Sequence, residues 1–295
     1  MPASFRQIID KAVKEKRFLV VPGAHDALSA RIIQKLGFET YFIGGFPAVG
    51  ARYGVPDVGL KGFGEIAACV RDIMAACDLP VFVDGDDGYG DVKNVVHTVQ
   101  SYERMGVSAI LIEDQQWPKR CGHMVGKKVV PTEIAEAKIR AACSERINPE
   151  TWILARTDAR AVYDLDEAMR RAERYVRAGA DGIFIEAPQS IDELTRVGRA
   201  FQGVPQIANM LEGGGQTPVL PPAELKAMGF AMAAYPTSVI FRVARTIEKA
   251  LADIKAGRPG ASGDSVDFAG FKDITGYDNW ARIEDQYAPA EGGKA

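Results

Sequence analysis

The sequence predicts a closed (β/α)8 barrel, and three observations support this fold class. Short apolar runs recur along the chain, segments with helical spacing separate them, and polar residues follow the runs at their C-terminal ends. Runs that are apolar throughout, without alternation, suit parallel strands buried on both faces. An open doubly wound sheet is the alternative, but eight strand–helix units in one chain favour closure.

Each element is identified from its pattern in chain order. The predicted strands are residues 18–21, 40–43, 80–83, 109–112, 152–155, 182–185, 206–209 and 231–234. The clearest helical patterns are Leu28, Ile32 and Leu36 before Gly37, Val92 to Val99 before Gly106, and Leu165 to Val176 before Gly179. A glycine after the last periodic residue commonly ends a helix. Ser190 with Glu193 predicts a capping box at the start of a further helix.

Composition limits the classes of function. The 295 residues are 47% hydrophobic and 25% charged, which is ordinary for a soluble globular protein. A net charge of −3 gives no reason to expect a nucleic-acid partner, and no apolar run is long enough for a membrane span. Four cysteines are too few for a disulfide framework, so we expect a cytoplasmic protein.

Two segments are predicted along the chain. Residues 1–258 form the barrel, which is the catalytic domain, and residues 259–295 form a C-terminal helical extension and tail. Within the extension, residues 271–287 make one more amphipathic stretch, and residues 289–295 are expected to be disordered.

Polar side chains cluster where the predicted strands end. They are Asp84, Asp86, Glu113, Asp114, Arg156, Asp158, Glu186, Asn209 and Glu212. In a parallel barrel these ends share one mouth, where active sites are built. Any one of them could simply cap the next helix, but the whole set favours an active site.

Asp84 and Asp86 predict a metal site. On an extended strand, residues two apart point to the same side, and two close carboxylates need a cation to neutralise them. Oxygen ligands without a nearby histidine favour Mg²⁺, or Mn²⁺, and Glu113 could complete the site directly or through water. The run from Asp86 to Gly90 is also rich in turn-forming residues, so a turn remains open.

The segment around Cys121 is basic and punctuated by glycines. Arg120 precedes the thiol and Gly122 and His123 follow it, with lysines on both sides. Nearby positive charge stabilises a thiolate, so the sequence predicts an acidic, reactive thiol. The glycines suit a moving lid, although plain solvated surface is the alternative. No predicted strand contains a lysine, which excludes a Schiff-base aldolase built on a strand.

Six motifs carry a family resemblance. They are Tyr53–Asp57, Val83–Gly90, Ile112–Gln115, Pro118–His123, Ala155–Ala159 and Ala208–Gly213. With them the chain resembles the isocitrate lyase and phosphoenolpyruvate mutase superfamily over nearly all of residues 4–256. The Lys-Arg-Cys-Gly-His wording is typical of its carbon–carbon lyases, and most similar to the 2-alkylmalate lyases.

The resemblance implies roles for individual residues. It implies that Mg²⁺ is held by Asp84, Asp86 and Glu113, that the catalytic residues are Lys119, Arg120, Cys121 and His123, and that substrate is bound by Gly44, Gly45, Phe46, Asp57, Gly122, Arg156, Glu186 and Asn209. Cys121 is the implied general acid. The resemblance also implies a homo-oligomer, a dimer of dimers, in which the C-terminal helix is exchanged between subunits.

The implied reaction is a retro-aldol cleavage of a 2-hydroxy dicarboxylate to an α-keto acid and a carboxylic acid. Gly44 stands where many relatives have serine, Phe42 where some have tyrosine, and Phe241 where methylisocitrate lyases carry arginine. The differences at Gly44 and Phe241 favour a 2-alkylmalate such as 2,3-dimethylmalate, whereas Phe42 leaves the general base unidentified. Methylisocitrate lyase, oxaloacetate hydrolase and carboxyphosphonoenolpyruvate phosphonomutase remain alternatives, as does a barrel that only binds a dicarboxylate.

Overall fold

Eight parallel strands form the framework of the chain in a computed structural model, which describes residues 3–201, 203–260 and 263–288. The strands are β1 (Leu19–Pro22), β2 (Tyr41–Ile43), β3 (Val81–Asp84), β4 (Ala109–Glu113), β5 (Trp152–Thr157), β6 (Gly182–Ile185), β7 (Ile207–Asn209) and β8 (Met232–Tyr235). All eight predicted strands are therefore confirmed.

The strands close into a ring. Strands β2 to β6 pair in chain order, and β8 pairs with β7 on one side and β1 on the other. Parallel bridges between Gly23 and Phe42 and between Ile183 and Gln206 join these two sets. The order thus runs once around the barrel, as predicted, and the open-sheet alternative is wrong.

The helices of the described residues alternate with the strands along the chain and continue after β8. They are α1 (Phe5–Lys14), α2 (Ala27–Lys35), α3 (Gly45–Tyr53), α4 (Phe63–Met74), α5 (Val92–Arg104), α6 (Thr132–Ser144), α7 (Ala159–Val162), α8 (Leu165–Arg177), α9 (Ile191–Ala200), α10 (Pro222–Met228), α11 (Ser238–Lys255), α12 (Phe268–Thr275) and α13 (Tyr277–Tyr287). The three clearest predicted helices are confirmed as α2, α5 and α8. Among the described residues, none of these helices has the length and apolarity needed to cross a bilayer.

The buried face of α2 differs from the predicted one. Leu28 and Leu36 are 38% and 69% exposed, whereas Ala30 and Ile33 are buried. The helix is turned by its N-terminal cap, in which the Ser29 hydroxyl accepts the backbone N–H of Asp26 at 3.1 Å and faces inward. A local hydrogen bond therefore sets which apolar row meets the barrel.

Only one of the two hydrogen bonds of the predicted capping box at α9 forms. The Ser190 hydroxyl accepts the Glu193 N–H at 3.1 Å. The Glu193 carboxylate, however, binds Arg160 and the Gln189 N–H instead of returning to Ser190. The Glu193 carboxylate binds Arg160 because a cation is a stronger partner than the backbone N–H of Ser190.

Alternate residues of each strand face two different cores, which explains the continuous apolar runs. Leu111 points into the barrel, while Ile110 and Ile112 pack under the helices. Helix α1 closes the N-terminal end of the barrel, where the Phe5 ring lies 5.3 Å from the Trp152 ring. Because α1 covers the N-terminal end of the barrel, only the C-terminal end is open, and polar side chains of the strands lie there.

The chain divides into two compact units, Met1–Arg242 and the residues from Val243 onward. In the second unit, the single amphipathic stretch predicted over residues 271–287 is instead two helices. Gly276, with φ of 73°, ends α12 in the left-handed conformation and begins α13. The disorder predicted for residues 289–295 lies outside the described part of the chain.

Candidate active site

A small cavity opens at the C-terminal ends of the strands, as predicted. It is lined by Phe42, Gly44, Gly45, Phe46, Pro47, Asp57, Asp84, Glu113, Lys119, Arg120, Cys121, Gly122, His123, Arg156, Phe184, Glu186, Asn209, Leu211, Pro236 and Thr237. Every residue to which the family resemblance assigns a role lines it except Asp86, and of the strand-end set Asp114, Asp158 and Glu212 do not line it either. Its volume of about 40 Å³ leaves room for only a few water molecules, because residues 119–123 lie over it.

Asp84 and Asp86 are close together, but not for the predicted reason. Strand β3 ends at Asp84, and Asp86 lies in a turn with φ of 47°. The Asp84 carboxylate accepts the Asp86 N–H at 3.0 Å and holds this turn. The strand-alternation argument is therefore wrong. Asp84 faces the cavity, while Asp86 is buried beneath Lys119.

The Lys119 ammonium sits among carboxylates. Its Nζ lies 2.7 Å from an Asp57 oxygen and 2.6 Å from an Asp86 oxygen. Burial alone would lower the pKa of Lys119, but Asp86, Asp57 and Asp84 raise it well above the ordinary value. The lysine is thus a fixed cation.

One lysine does not neutralise this cluster. Burial, with Asp84 and Asp57, raises the pKa of Asp86 to about 7 although Lys119 opposes the shift. Burial also raises the pKa of Glu113 well above its usual range. Glu113 Oε1 is buried and has no hydrogen-bond partner among the described residues. Arg156 Nε lies 3.4 Å from Glu113 Oε2, but this contact and Lys119 do not offset the burial of these carboxylates.

A divalent cation fits this deficit. Six carboxylates surround the cavity, Asp57, Asp84, Asp86, Glu113, Asp158 and Glu186, against the three buried cations Lys119, Lys127 and Arg156. The donors Asp84, Asp86 and Glu113 are all oxygens, as Mg²⁺ prefers. Within the described part of the chain, no three acidic, histidine or cysteine side chains are grouped to enclose an ion by themselves. Mg²⁺ commonly keeps several waters, so partial protein ligation suits it.

The strands β5 and β6 carry a contrasting, fully paired group. Arg156 donates to Asp158 through Nε at 2.8 Å and Nη2 at 3.0 Å, and its Nη2 lies 3.0 Å from Glu186. Burial opposes ionisation of Asp158 and Glu186, yet Arg156 lowers the pKa of both, aided by Lys127 at Asp158 and by His123 at Glu186. These carboxylates are charged and rigidly held.

His123 is held in one tautomer. Its Nδ1 accepts the backbone N–H of Gln216 at 3.0 Å, so the ring proton belongs on Nε2. Nε2 lies 3.1 Å from Glu186 Oε1. The neutral imidazole therefore acts here as a donor to Glu186 at the edge of the cavity.

The Cys121 thiol is not acidic, contrary to the sequence expectation. Burial, with the carboxylates of Asp57 and Glu186, raises its pKa to about 11. The neighbouring cations turn elsewhere, since Lys119 faces Asp57 while Arg120 is exposed to solvent. The thiol therefore keeps its proton at neutral pH, which suits a proton donor and not a nucleophile.

The loop backbone approaches the paired group closely at Gly122. A Cβ there would clash with Arg156 Nη2 and with the Glu186 carboxylate. Only glycine allows the loop to pack down this far, which places the following and preceding residues over the cavity.

One wall of the cavity is apolar. Phe46 packs edge-on against Phe241 with ring centroids 6.0 Å apart. A Cβ at Gly44 would lie 2.9 Å from the Phe42 ring, so the phenyl ring takes the space that a serine would need. Arg242 does not line the cavity, and its guanidinium lies 3.2 Å from Glu212.

Sequence reasoning missed the cavity-lining residues Phe184, Leu211, Pro236 and Thr237 and the inward turn of Lys127. The Thr237 hydroxyl is buried at the cavity and has no hydrogen-bond partner among the described residues, as is also true of Asn209 Oδ1. Both oxygens are available to a ligand. Lys127 was noted only as a loop charge, but it is buried against Asp158. A lysine in a basic loop gives no signal of which way it turns.

The cavity is rich in carboxylates, lies at the C-terminal end of a (β/α)8 barrel and is covered by a loop that carries a cysteine. This arrangement is typical of enzymes that act on carboxylic acids, and comparisons with known proteins identify the family. A model of the phosphoenolpyruvate phosphomutase family matches residues 10–255. The 2,3-dimethylmalate lyase of Eubacterium barkeri is 40% identical over 92% of this chain and 94% of that protein. The 2-methylisocitrate lyase of Halalkalibacterium halodurans is 40% identical over 86% and 84%.

Solved structures agree with this assignment. That of 2,3-dimethylmalate lyase matches with a TM-score of 0.89 and 30% identity, covering 99% of both chains. That of oxaloacetate acetylhydrolase with 3,3-difluorooxalacetate matches at 0.91 and 26%, covering 98% and 97%. Phosphonopyruvate hydrolase with oxalate and Mg²⁺ matches at 0.85 and 26%, covering 97% and 100%.

The chain belongs to the phosphoenolpyruvate mutase/isocitrate lyase superfamily, and it is a lyase with the (β/α)8 barrel of that group. The resemblance drawn from the motifs is thereby confirmed. The relatives differ in the substrates that their names record, so the family does not by itself select a substrate.

Proposed function

We propose that this enzyme cleaves a 2-alkylmalate, such as 2,3-dimethylmalate, to an α-keto acid and a carboxylic acid in a Mg²⁺-dependent retro-aldol reaction. The observation that carries the proposal is the juxtaposition of a cation-deficient carboxylate cluster and a protonated thiol on the same cavity. The 40% identity to 2,3-dimethylmalate lyase supports the choice of substrate class.

Asp84, Asp86 and Glu113 would hold the metal ion, with Mn²⁺ as an alternative to Mg²⁺. When bound, the ion supplies a Lewis acid that makes a hydroxyl of the substrate easier to deprotonate. Gly45 and Phe46 stand at the N-terminus of α3, and Gly45 N donates to Asp84 at 3.3 Å. This end of the helix favours a substrate carboxylate.

Cys121 would donate a proton to the carbon of the departing fragment. Its raised pKa keeps the proton in place until negative charge develops beside it. Lys119, His123 and Arg156 then face that charge from three sides of the cavity, and Asn209 Oδ1 with Thr237 Oγ1 offers polar contacts. Arg120 contributes through its backbone, which Gln115 holds at 2.9 Å.

The apolar wall favours an alkyl substituent over a third carboxylate. Phe46, Pro47 and Leu211 line the cavity and carry no charge. A third carboxylate placed against them would lose its hydration without gaining a cation. The two competing substrates, 2-methylisocitrate and oxaloacetate, are those of relatives with similar identity or fold.

The test is a panel of 2-hydroxy dicarboxylates and oxaloacetate, assayed for keto-acid release and product mass with and without Mg²⁺. We expect pyruvate from 2,3-dimethylmalate, and none after metal removal. Faster release from 2-methylisocitrate, or oxalate from oxaloacetate as the main product, would contradict the substrate. Cys121→Ser should lower kcat by about 10² because a hydroxyl is a poorer acid, whereas Cys143→Ser serves as the control.

We also propose a homo-oligomer, a dimer of dimers in which the C-terminal helix is exchanged. On α11, Ile247, Leu251 and Ile254 are 53%, 60% and 60% exposed, and Phe268 on α12 is 84% exposed. Apolar exposure of this extent is typical of an interface. Sedimentation of the whole chain should give a tetramer, and a monomer would contradict this assembly.

A further inference from the structure

Lys127 connects the loop that carries Cys121 to the rigid end of a barrel strand. Its Nζ lies 2.7 Å from Asp158 Oδ1 and also donates to the carbonyl of Gly122. Asp158 follows β5 directly, and Gly122 is the residue after Cys121. One ammonium therefore joins the peptide next to the thiol and a fixed point of the barrel.

The environment of this contact is dry. The side chains of Lys127 and Asp158 are 1% and 0% exposed. A buried pair of this kind is costly to break from one side, because the remaining charge is left without a partner. Lys128, the next residue, is exposed, so the inward turn is particular to Lys127.

The base of the loop is pinned independently. Gln116 N donates to Lys128 O at 2.8 Å, and Gln115 bridges Val129. The tip is also held by the bonds from Arg120 N to Gln115 at 2.9 Å, from Cys121 N to Asp57 O at 3.1 Å and from Gln216 N to His123 at 3.0 Å. Loss of the Lys127 contact would therefore loosen the tip at Gly122 without unravelling the base of the loop. The tip is the part that covers the cavity.

We propose that Lys127 is a positioning residue, a latch that holds the Cys121 loop closed by binding Asp158 and Gly122 together. Lys127 contacts Asp158 on the side away from substrate and takes no part in proton transfer. While the loop is closed, the Asp158 carboxylate is paired with both Lys127 and Arg156. Without the Lys127 contact it is paired with Arg156 alone. Closure of the loop therefore changes the ion pairing of Arg156, the cation that faces the cavity.

The test measures alkylation of Cys121 by iodoacetamide in the full-length protein, peptide by peptide, by mass spectrometry. Lys127→Met should raise the rate at Cys121 by about tenfold, because an open loop exposes the thiol and relieves the burial that raises its pKa. Loss of a cation alone would have the opposite effect, since it makes a thiolate harder to form. The acceleration therefore reports movement of the loop.

Three controls separate a latch from general loosening. Lys128→Met alters an exposed neighbour, and Lys138→Met removes a buried lysine whose Nζ lies 3.2 Å from Asp87 on another element. Both should leave the Cys121 rate within about twofold of the wild type, while Lys127→Arg should restore most of the protection. Lys127→Gln, which keeps a donor without charge, is the second variant if Lys127→Met does not fold.

The proposal is overturned if the Met or Gln variant alkylates at the wild-type rate, or if Lys138→Met accelerates Cys121 equally. A merely structural lysine would lower the melting temperature without this selective exposure. The alkylation uses neither substrate nor metal, so it stands apart from the proposed lyase reaction on which the loop's catalytic meaning rests. With the best substrate, Lys127→Met should lower kcat and Lys128→Met should not.

Discussion

The two halves of the cavity bury acidic groups equally well but treat them differently. Beside β3 and β4, burial raises the pKa of Asp86 to about 7 and raises that of Glu113 well above its usual range. Beside β5 and β6, Asp158 and Glu186 are as deeply buried, yet their pKa values are lowered. The difference is the supply of cations, because Arg156 and Lys127 pair closely with the second half, whereas the first half has Lys119 and only a longer contact, 3.4 Å, from Arg156 Nε to Glu113.

This contrast supports the proposal that the β3–β4 half binds a metal ion. Burial penalises every charged carboxylate, and local positive charge together with hydrogen bonds to the carboxylate decides whether the penalty is offset. The β5–β6 half is complete without a ligand. The β3–β4 half is incomplete, with a Glu113 oxygen unpaired among the described residues.

The largest effect should come from breaking the incomplete half. Asp84→Asn removes the carboxylate that faces the cavity from the end of β3 while keeping its shape. We expect kcat/KM for 2,3-dimethylmalate to fall by about 10³, because Lewis-acid stabilisation is lost with the metal. Asp72→Asn, which breaks an exposed pair with Arg52, should be silent and is the control. Equal activity of the two variants would refute the assignment.

A smaller loss should follow when the complete half is disturbed. Arg156→Lys replaces a guanidinium that reaches both Asp158 and Glu186 with an ammonium that cannot span them. We expect kcat/KM to fall by about 10² with the barrel still folded by circular dichroism. Arg160→Lys, whose partner is Glu193, is the matched control. A silent Arg156→Lys variant would show that this half is only structural.

A charge placed on the apolar wall of the cavity should change which substrate the enzyme prefers. Phe241→Arg places a cation behind Phe46, next to neither half. The preference for 2-methylisocitrate over 2,3-dimethylmalate, as a ratio of kcat/KM values, should rise by about tenfold, because a third carboxylate gains a partner. Phe241→Leu should leave the ratio near the wild-type value. No change in the arginine variant would remove the charge argument for specificity.

The thiol above both halves gives the mildest test. Its pKa is raised to about 11, so thiolate forms only at high pH, and less of it exists at any lower pH than for a free cysteine. Between about pH 8 and 10, alkylation of Cys121 should therefore keep rising about tenfold per unit. A plateau near pH 9 would mean that the thiol is as acidic as the loop composition suggests.

Sequence was sufficient for the framework and for the end of the barrel at which the predicted polar residues meet. Apolar runs such as residues 109–112 specify buried strands, and the barrel then brings their polar ends together. The direction of charged side chains was not accessible. Lys119, Arg120 and Lys127 are all basic residues of one loop. Lys119 and Lys127 turn inward and pair with buried carboxylates, whereas Arg120 is exposed to solvent.

The same limit explains the errors at Cys121 and Asp86. Positive charge near the thiol along the chain is not positive charge near it in space, since the lysines are already paired. The turn at Asp86 arises from its hydrogen bond to Asp84, which no alternation rule includes. Local hydrogen bonds and tertiary ion pairs, which patterns of apolarity do not encode, decided both.

The most direct test of the metal centre is calorimetric titration of Mg²⁺ into metal-stripped protein with oxalate present, comparing the wild type with Asp84→Asn. The wild type should bind one ion per chain, and Asp84→Asn should bind at least about tenfold more weakly. An absence of binding by the wild type, or equal affinity in the two proteins, would contradict a divalent ion at the ends of β3 and β4.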